Sequence, residues 1–117
     1  MNVVVLQGTL AREPEVRVLP SGGEVVGFEV TTRRDGERAV TVPVAWAEAP
    51  AAARKLRVGS EVVVAGVVRR RFFRAGGATA SRTEVVATGL VPAAARRRVE
   101  ALLEGAMAEV LADGPPG

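Results

Sequence analysis

Arg69-Arg70-Arg71-Phe72-Phe73-Arg74 sets four guanidinium groups around two adjacent rings, in a stretch whose valine-rich lead-in reads as a strand. That combination suits an unpaired nucleic-acid strand: a base stacks on an aromatic face for about 1 to 3 kcal/mol, and arginines hold the phosphates. Strand parity divides the segment. Arg69, Arg71 and Phe73 share one face, whereas Arg70 and Phe72 share the other, and Phe72 continues the even-numbered set Val62, Val64 and Val68. Phe72 is therefore expected in the core and Phe73 at the surface. The plain alternative is a solvated strand end with both rings buried, as phenylalanine usually is.

Trp46, the only tryptophan, stands at the end of a strand. A lone tryptophan is most often a core filler whose indole N–H finds a partner; on a shared groove with Phe73 it would instead offer a second ring to successive bases. Arg33, Arg34 and Arg38 bracket an Asp35-Gly36 turn, where ligand contacts are common and plain solvation commoner. Arg12 and Arg17 have the same status, partly offset by Glu13 and Glu15. Arg96-Arg97-Arg98 open the last helix, where positive charge opposes the macrodipole; an anionic contact or an exposed run without function both fit. Catalytic arrangements are thin. Glu13, Glu15 and Glu24 are available carboxylates, but the chain has no His and no Cys, which removes thiol nucleophiles, thiolate zinc sites, disulfides and the usual acid–base residue near neutral pH. Gly22-Gly23 and Gly76-Gly77 lack the phosphate-loop pattern and read as turns. No catalytic residue, metal or cofactor is expected.

The elements that must position these residues follow from local pattern. Asn2 to Leu10 is β-branched and strand-like. Val16 to Val18 and Glu24 to Arg33 form a hairpin about Ser21-Gly22-Gly23, with Val26, Phe28 and Val30 at period two. The Asp-Gly pair leads into a strand from about Arg38 to Trp46, whose Pro43 points to an edge or a bulge. Glu48 to Leu56 is a short alanine-rich helix with Pro50 in its first turn. Glu61 to Phe73 and Ser81 to Thr88 complete the strands. Five or six strands with a short helix between the third and fourth principal ones is the all-β order of the five-stranded Greek-key OB-fold barrel. Past Pro92, Val99, Leu102, Leu103, Ala106, Met107, Val110 and Leu111 recur at helical spacing, predicting an amphipathic helix with Gly105 on its polar side. The expected organisation is a barrel domain over 1–91, a helix over 92–112 and a short tail over 113–117.

With 117 residues, 48% of them hydrophobic and 25% charged, the chain fits one soluble domain and excludes disorder for its bulk. No apolar run reaches the roughly 20 residues of a membrane span, and the start lacks a secretory signal, so a cytoplasmic location is expected. Fifteen arginines and one lysine against 13 acids give +3, a modest bias toward polyanions.

Asn2-Val3-Val4-Val5-Leu6-Gln7-Gly8-Thr9-Leu10, then Glu13-Pro14-Glu15-Val16-Arg17 and Ser21-Gly22-Gly23, resembles the opening of the bacterial single-stranded DNA-binding protein family. Leu56-Arg57-Val58-Gly59-Ser60-Glu61-Val62, Arg71-Phe72-Phe73 and Thr83-Glu84-Val85-Val86-Ala87 resemble its later segments, in order, over about residues 1 to 91. The resemblance implies an OB-fold, sequence-tolerant binding of single-stranded DNA, and a homo-oligomer, tetramer or dimer. It puts Trp46 and Phe73 at base-stacking positions. Where a further family aromatic is expected, Val40 is aliphatic, and the loop from Arg34 to Glu37 is short, which implies weaker binding per fold and more dependence on arginine. The family's acidic C-terminal tip has no counterpart here, so recruitment of partners through such a tip is not expected; a shortened paralogue fits better.

Two functions are thus in view. The first is a non-catalytic single-stranded DNA binder acting in replication, repair or recombination through Arg12, Arg17, Arg33, Arg34, Trp46, Arg69, Arg71, Phe73 and Arg74. The second is an OB-fold interaction module with little nucleic-acid affinity that assembles through its C-terminal helix, whose apolar stripe equally suits capping the barrel's own open end.

Overall fold

The computed structural model describes residues 1–113; of the expected tail, only Asp113 lies within them, and 114–117 fall outside. The molecule is mostly β-sheet with a C-terminal helix. Six strands run β1 (Val4–Leu10), β2 (Glu15–Val18), β3 (Glu24–Thr32), β4 (Val40–Ala47), β5 (Glu61–Ala75) and β6 (Ala78–Pro92). A four-residue helix α1 (Ala51–Arg54) separates β4 from β5, and α2 (Arg96–Asp113) follows β6. The helix begins later than Pro92, because β6 runs through that residue and the Ala93 N–H still donates to the Glu61 carbonyl at 2.8 Å.

The strands pair in the order β1-β5-β6-β4-β3-β2, and β1 also pairs with β3, so five of them form a closed circuit with β2 added outside β3. All contacts are antiparallel except a short parallel one, Val44 opposite Val85 and Ala45 opposite Val86. Pro43 lies opposite Glu29 and outside that parallel stretch, so its missing N–H interrupts no ladder to β6. The even-numbered residues of β3 to β5 point inward: Val26, Phe28, Val30, Val44, Val62 and Val64 form one buried cluster with Leu10, Val85, Ala87 and Leu90. Ala53 of helix α1 and Ala49 just before it join the cluster. The seat of α1 is fixed by Arg54, which donates to the Ala49 carbonyl at 2.7 Å and to Glu24 at 2.6 Å.

On the opposite face of β5 and β6, Val63, Ala65 and Val91 are also buried. A sheet apolar on both faces must be covered on both, and α2 supplies the second layer by packing on β1, β5 and β6. It sits on the flank of the sheet and does not cap an open end. Val99, Leu102, Ala106 and Val110 are half-buried there, while Leu103, Met107 and Leu111 of the same stripe are exposed. Leu102 seats on Gly89, where a Cβ would come within 2.5 Å of its Cδ1.

Closure of the circuit depends on Gly8, since a Cβ there would fall on the Thr31 carbonyl oxygen where β1 meets β3. Gly105 meets nothing within 4 Å. Gly8→Ala is expected to destabilise the protein by about 1 to 3 kcal/mol, whereas Gly105→Ala stabilises it by about 1 kcal/mol. Urea unfolding checks the pair; a Gly8→Ala midpoint at or above the wild-type value would contradict this closure.

Candidate nucleic-acid interface

β5 and β6 are 15 residues each, about twice the length of β1 and β4. β1 follows β5 only as far as Gly66, and the Asn2 side chain adds one further step by bonding both the N–H and the carbonyl of Val68, at 2.8 and 2.9 Å. β4 meets β6 only at Val85 and Val86. Beyond Val68 and Val85 the hairpin stands alone as an arm. It turns at Gly76-Gly77, both at positive φ (57° and 82°), as a two-residue hairpin turn requires.

This arm explains why Phe72 is not in the core. Its parity is that of Val62 and Val64, as expected, but no layer lies over that face so far from the sheet, and the ring is 67% exposed. Phe73 is on the other face and is partly buried, with the Arg71 guanidinium 5.2 Å from its ring centroid, within cation–π range.

Antiparallel register places Arg69 opposite Glu84, Arg71 opposite Arg82 and Phe73 opposite Ala80 on one face. Glu84 is only 4% exposed, and a carboxylate so deep must be paired. Arg71 donates to its Oε1 at 2.8 Å, and Arg69 reaches Oε2 at 3.5 Å. Arg82, which would repel Arg71 across the ladder, turns to Glu29 on β3 at 3.4 Å. Glu84 and Arg82 are the residues that sequence inspection missed. The signal for Glu84 was present: it is the lone acid in an apolar strand, facing an arginine-rich one.

These groups open into a groove of about 200 Å³ on the outer face of β3 and β4, floored by Gly27, Pro43 and Ala45. Arg12, Arg17, Arg71 and Arg82 line it together with Glu13, Glu15, Glu29 and Glu84, so its charge is balanced. The structure thus brings together Arg12, Arg17 and Arg71, with Arg69 joined through Glu84. Arg33 and Arg34 lie exposed at the β3–β4 turn, with Arg34 near Glu37 at 3.8 Å, and Arg74 is exposed near the arm's tip. Arg12, Arg17, Arg33 and Arg74 form no ion pair among the described residues.

Trp46 shares the parity of Val42 and Val44 and packs against the buried cluster, opposite Val26, while remaining partly exposed. Neither Trp46 nor Phe73 lines the groove among the described residues. Among the described residues there is no cluster of metal-ligating side chains, and no helix is long and apolar enough to cross a membrane.

A closed circuit of strands with an overhanging hairpin and an arginine-bearing groove makes up a β protein with the residue types that nucleic-acid binding uses. The model of the Single-strand binding protein family matches residues 1–92, and the chain belongs to that family. Single-stranded DNA binding on an OB-fold is what this membership assigns.

The position of Glu84 gives a test. Arg71→Ala leaves the carboxylate with Arg69 alone and is expected to cost about 3 kcal/mol, the low end for breaking a buried pair. Adding Glu84→Gln should recover much of that loss in urea unfolding. A double variant as unstable as the sum of the two single ones would show that the pair is not coupled.

Proposed function

We propose that the protein binds single-stranded DNA without regard to sequence and without catalysis, in replication, repair or recombination, in the cytoplasm. The strand circuit is taken as a five-stranded Greek-key barrel with α1 between its third and fourth principal strands. Arg12, Arg17, Arg33, Arg34, Arg69, Arg71 and Arg74 contact phosphates, and Phe73 and the exposed part of Trp46 contact bases. The observation that best supports this is the joined Arg71 and Phe73 on an overhanging arm beside a groove. The guanidinium holds one side of the ring, and a base can take the other.

Arg69 and Arg71 are already engaged by Glu84, so the phosphate contacts that answer most directly to salt are those of the unpaired Arg12 and Arg17. Assembly as a dimer or tetramer belongs to the same proposal. Supporting surfaces are the edge of β1 over Val4 to Gly8, which β3 leaves unpaired, and the exposed Leu103, Met107 and Leu111.

Anisotropy of a labelled thirty-mer of thymidine tests the proposal. Log affinity should fall with log salt at about −0.7 per phosphate contact, near −5 for the seven arginines named. Arg12→Ala and Arg17→Ala should each lower that slope by about 0.7 with the fold intact, and the oligonucleotide should quench Trp46 emission reversibly with salt. No binding at low salt would leave the alternative ahead: an interaction module assembling through the exposed stripe of α2.

A further inference from the structure

Register assigns the second face of the arm as carefully as the first. Val68 lies opposite Val85, Arg70 opposite Thr83, Phe72 opposite Ser81 and Arg74 opposite Thr79. Directly opposed residues of an antiparallel pair project to the same side, so Arg70, Phe72, Arg74, Ser81 and Thr83 share one surface.

Its chemistry differs from that of the Glu84 face in two respects. On the Glu84 face every arginine is held by a carboxylate. On this one no carboxylate is present, and Arg70 and Arg74 form no ion pair among the described residues. Arg70 spends one donor on the Ser81 hydroxyl at 2.9 Å, leaving most of its guanidinium donors free. The ring is also in a different state: Phe72 is the exposed one of the two phenylalanines, between two guanidinium groups about 13 Å apart along the strand.

An exposed aromatic costs solubility and gains nothing in the fold, since no layer covers it. Flanked by unpaired arginines and hydroxyls, it has the composition of a platform for an unpaired polyanionic strand, with a base on the ring and phosphates at Arg70 and Arg74.

We propose that this face is a second single-strand binding surface, so that the arm engages nucleic acid on both sides, with Phe72 as its stacking ring. The proposal rests on the single-strand binding function and adds a site to it.

The test uses the full chain and a thirty-mer of thymidine. Phe72→Ala should weaken binding about tenfold, and Phe72→Trp should restore it and report the oligonucleotide by quenching of the new indole. Phe72→Leu, apolar but unable to stack, should stay weak. Arg70→Ala, the arginine of this face outside the set already assigned to phosphates, should lower the salt slope by about 0.7, one lost contact. Urea midpoints near wild type are expected throughout, because the changed side chains are exposed. If the wild type binds and these variants bind equally well with an unchanged slope, the second face is overturned while the function stands. A variant that alters the mass in solution at unchanged affinity also overturns it, by showing that a second copy occupies the face. Failure of the wild type to bind would overturn the function itself, and the second face with it.

Discussion

Two strands of this protein are longer than anything that flanks them, and most of its features follow from that mismatch. Where β5 and β6 have neighbours, apolar residues are buried on both faces, against the core cluster on one side and beneath α2 on the other. Where the neighbours stop, near Val68 and Val85, the same ladder continues without a layer over it. Alternation of side chains persists through the boundary, but its meaning changes from two packed faces to one partly buried, ion-paired face and one exposed face. The hairpin therefore holds the sheet together at one end and presents side chains at the other.

Charge is handled by the same division. Burial of Glu84 at the root of the arm obliges two arginines to converge on it, and Arg71 in turn lies against Phe73. Part of the arginine content is thus structural, neutralising a carboxylate that water cannot reach. Arg82 with Glu29 and Arg54 with Glu24 likewise tie separate strands and the short helix together. Among the described residues the arginines without an ion pair include Arg12 and Arg17 at the groove, Arg33 and Arg38 at the β3–β4 turn, Arg70 and Arg74 on the outer half of the arm, and Arg96, Arg97 and Arg98 at the start of α2. An overall charge of +3 conceals this partition. For phosphate binding, the arginines that matter most are those without internal partners.

Strand identities were legible because β-branched runs, the Asp35-Gly36 pair and the glycine pairs mark extended segments and turns directly. The inward parity of Trp46 was also legible, in the series Val40, Val42, Val44, Trp46. Phe72 could not be placed from one strand alone: its parity was correct, but how far the core extends along β5 depends on the lengths of β1 and β4, which are set elsewhere in the chain. The split of α2 has a similar cause. One helical stripe includes Leu102 and Leu103, yet only the shape of the sheet beneath decides that Leu102 reaches Gly89 while Leu103 stays in solvent.

The central claim is that a single strand lies on the overhanging arm and the groove beside it. Amide hydrogen exchange on the full chain, with and without a saturating thirty-mer of thymidine, addresses it directly. The account predicts slowed exchange over residues 68–83 and 12–17, with α2 unchanged. Protection confined to α2 and the edge of β1, or none within the arm, would contradict it.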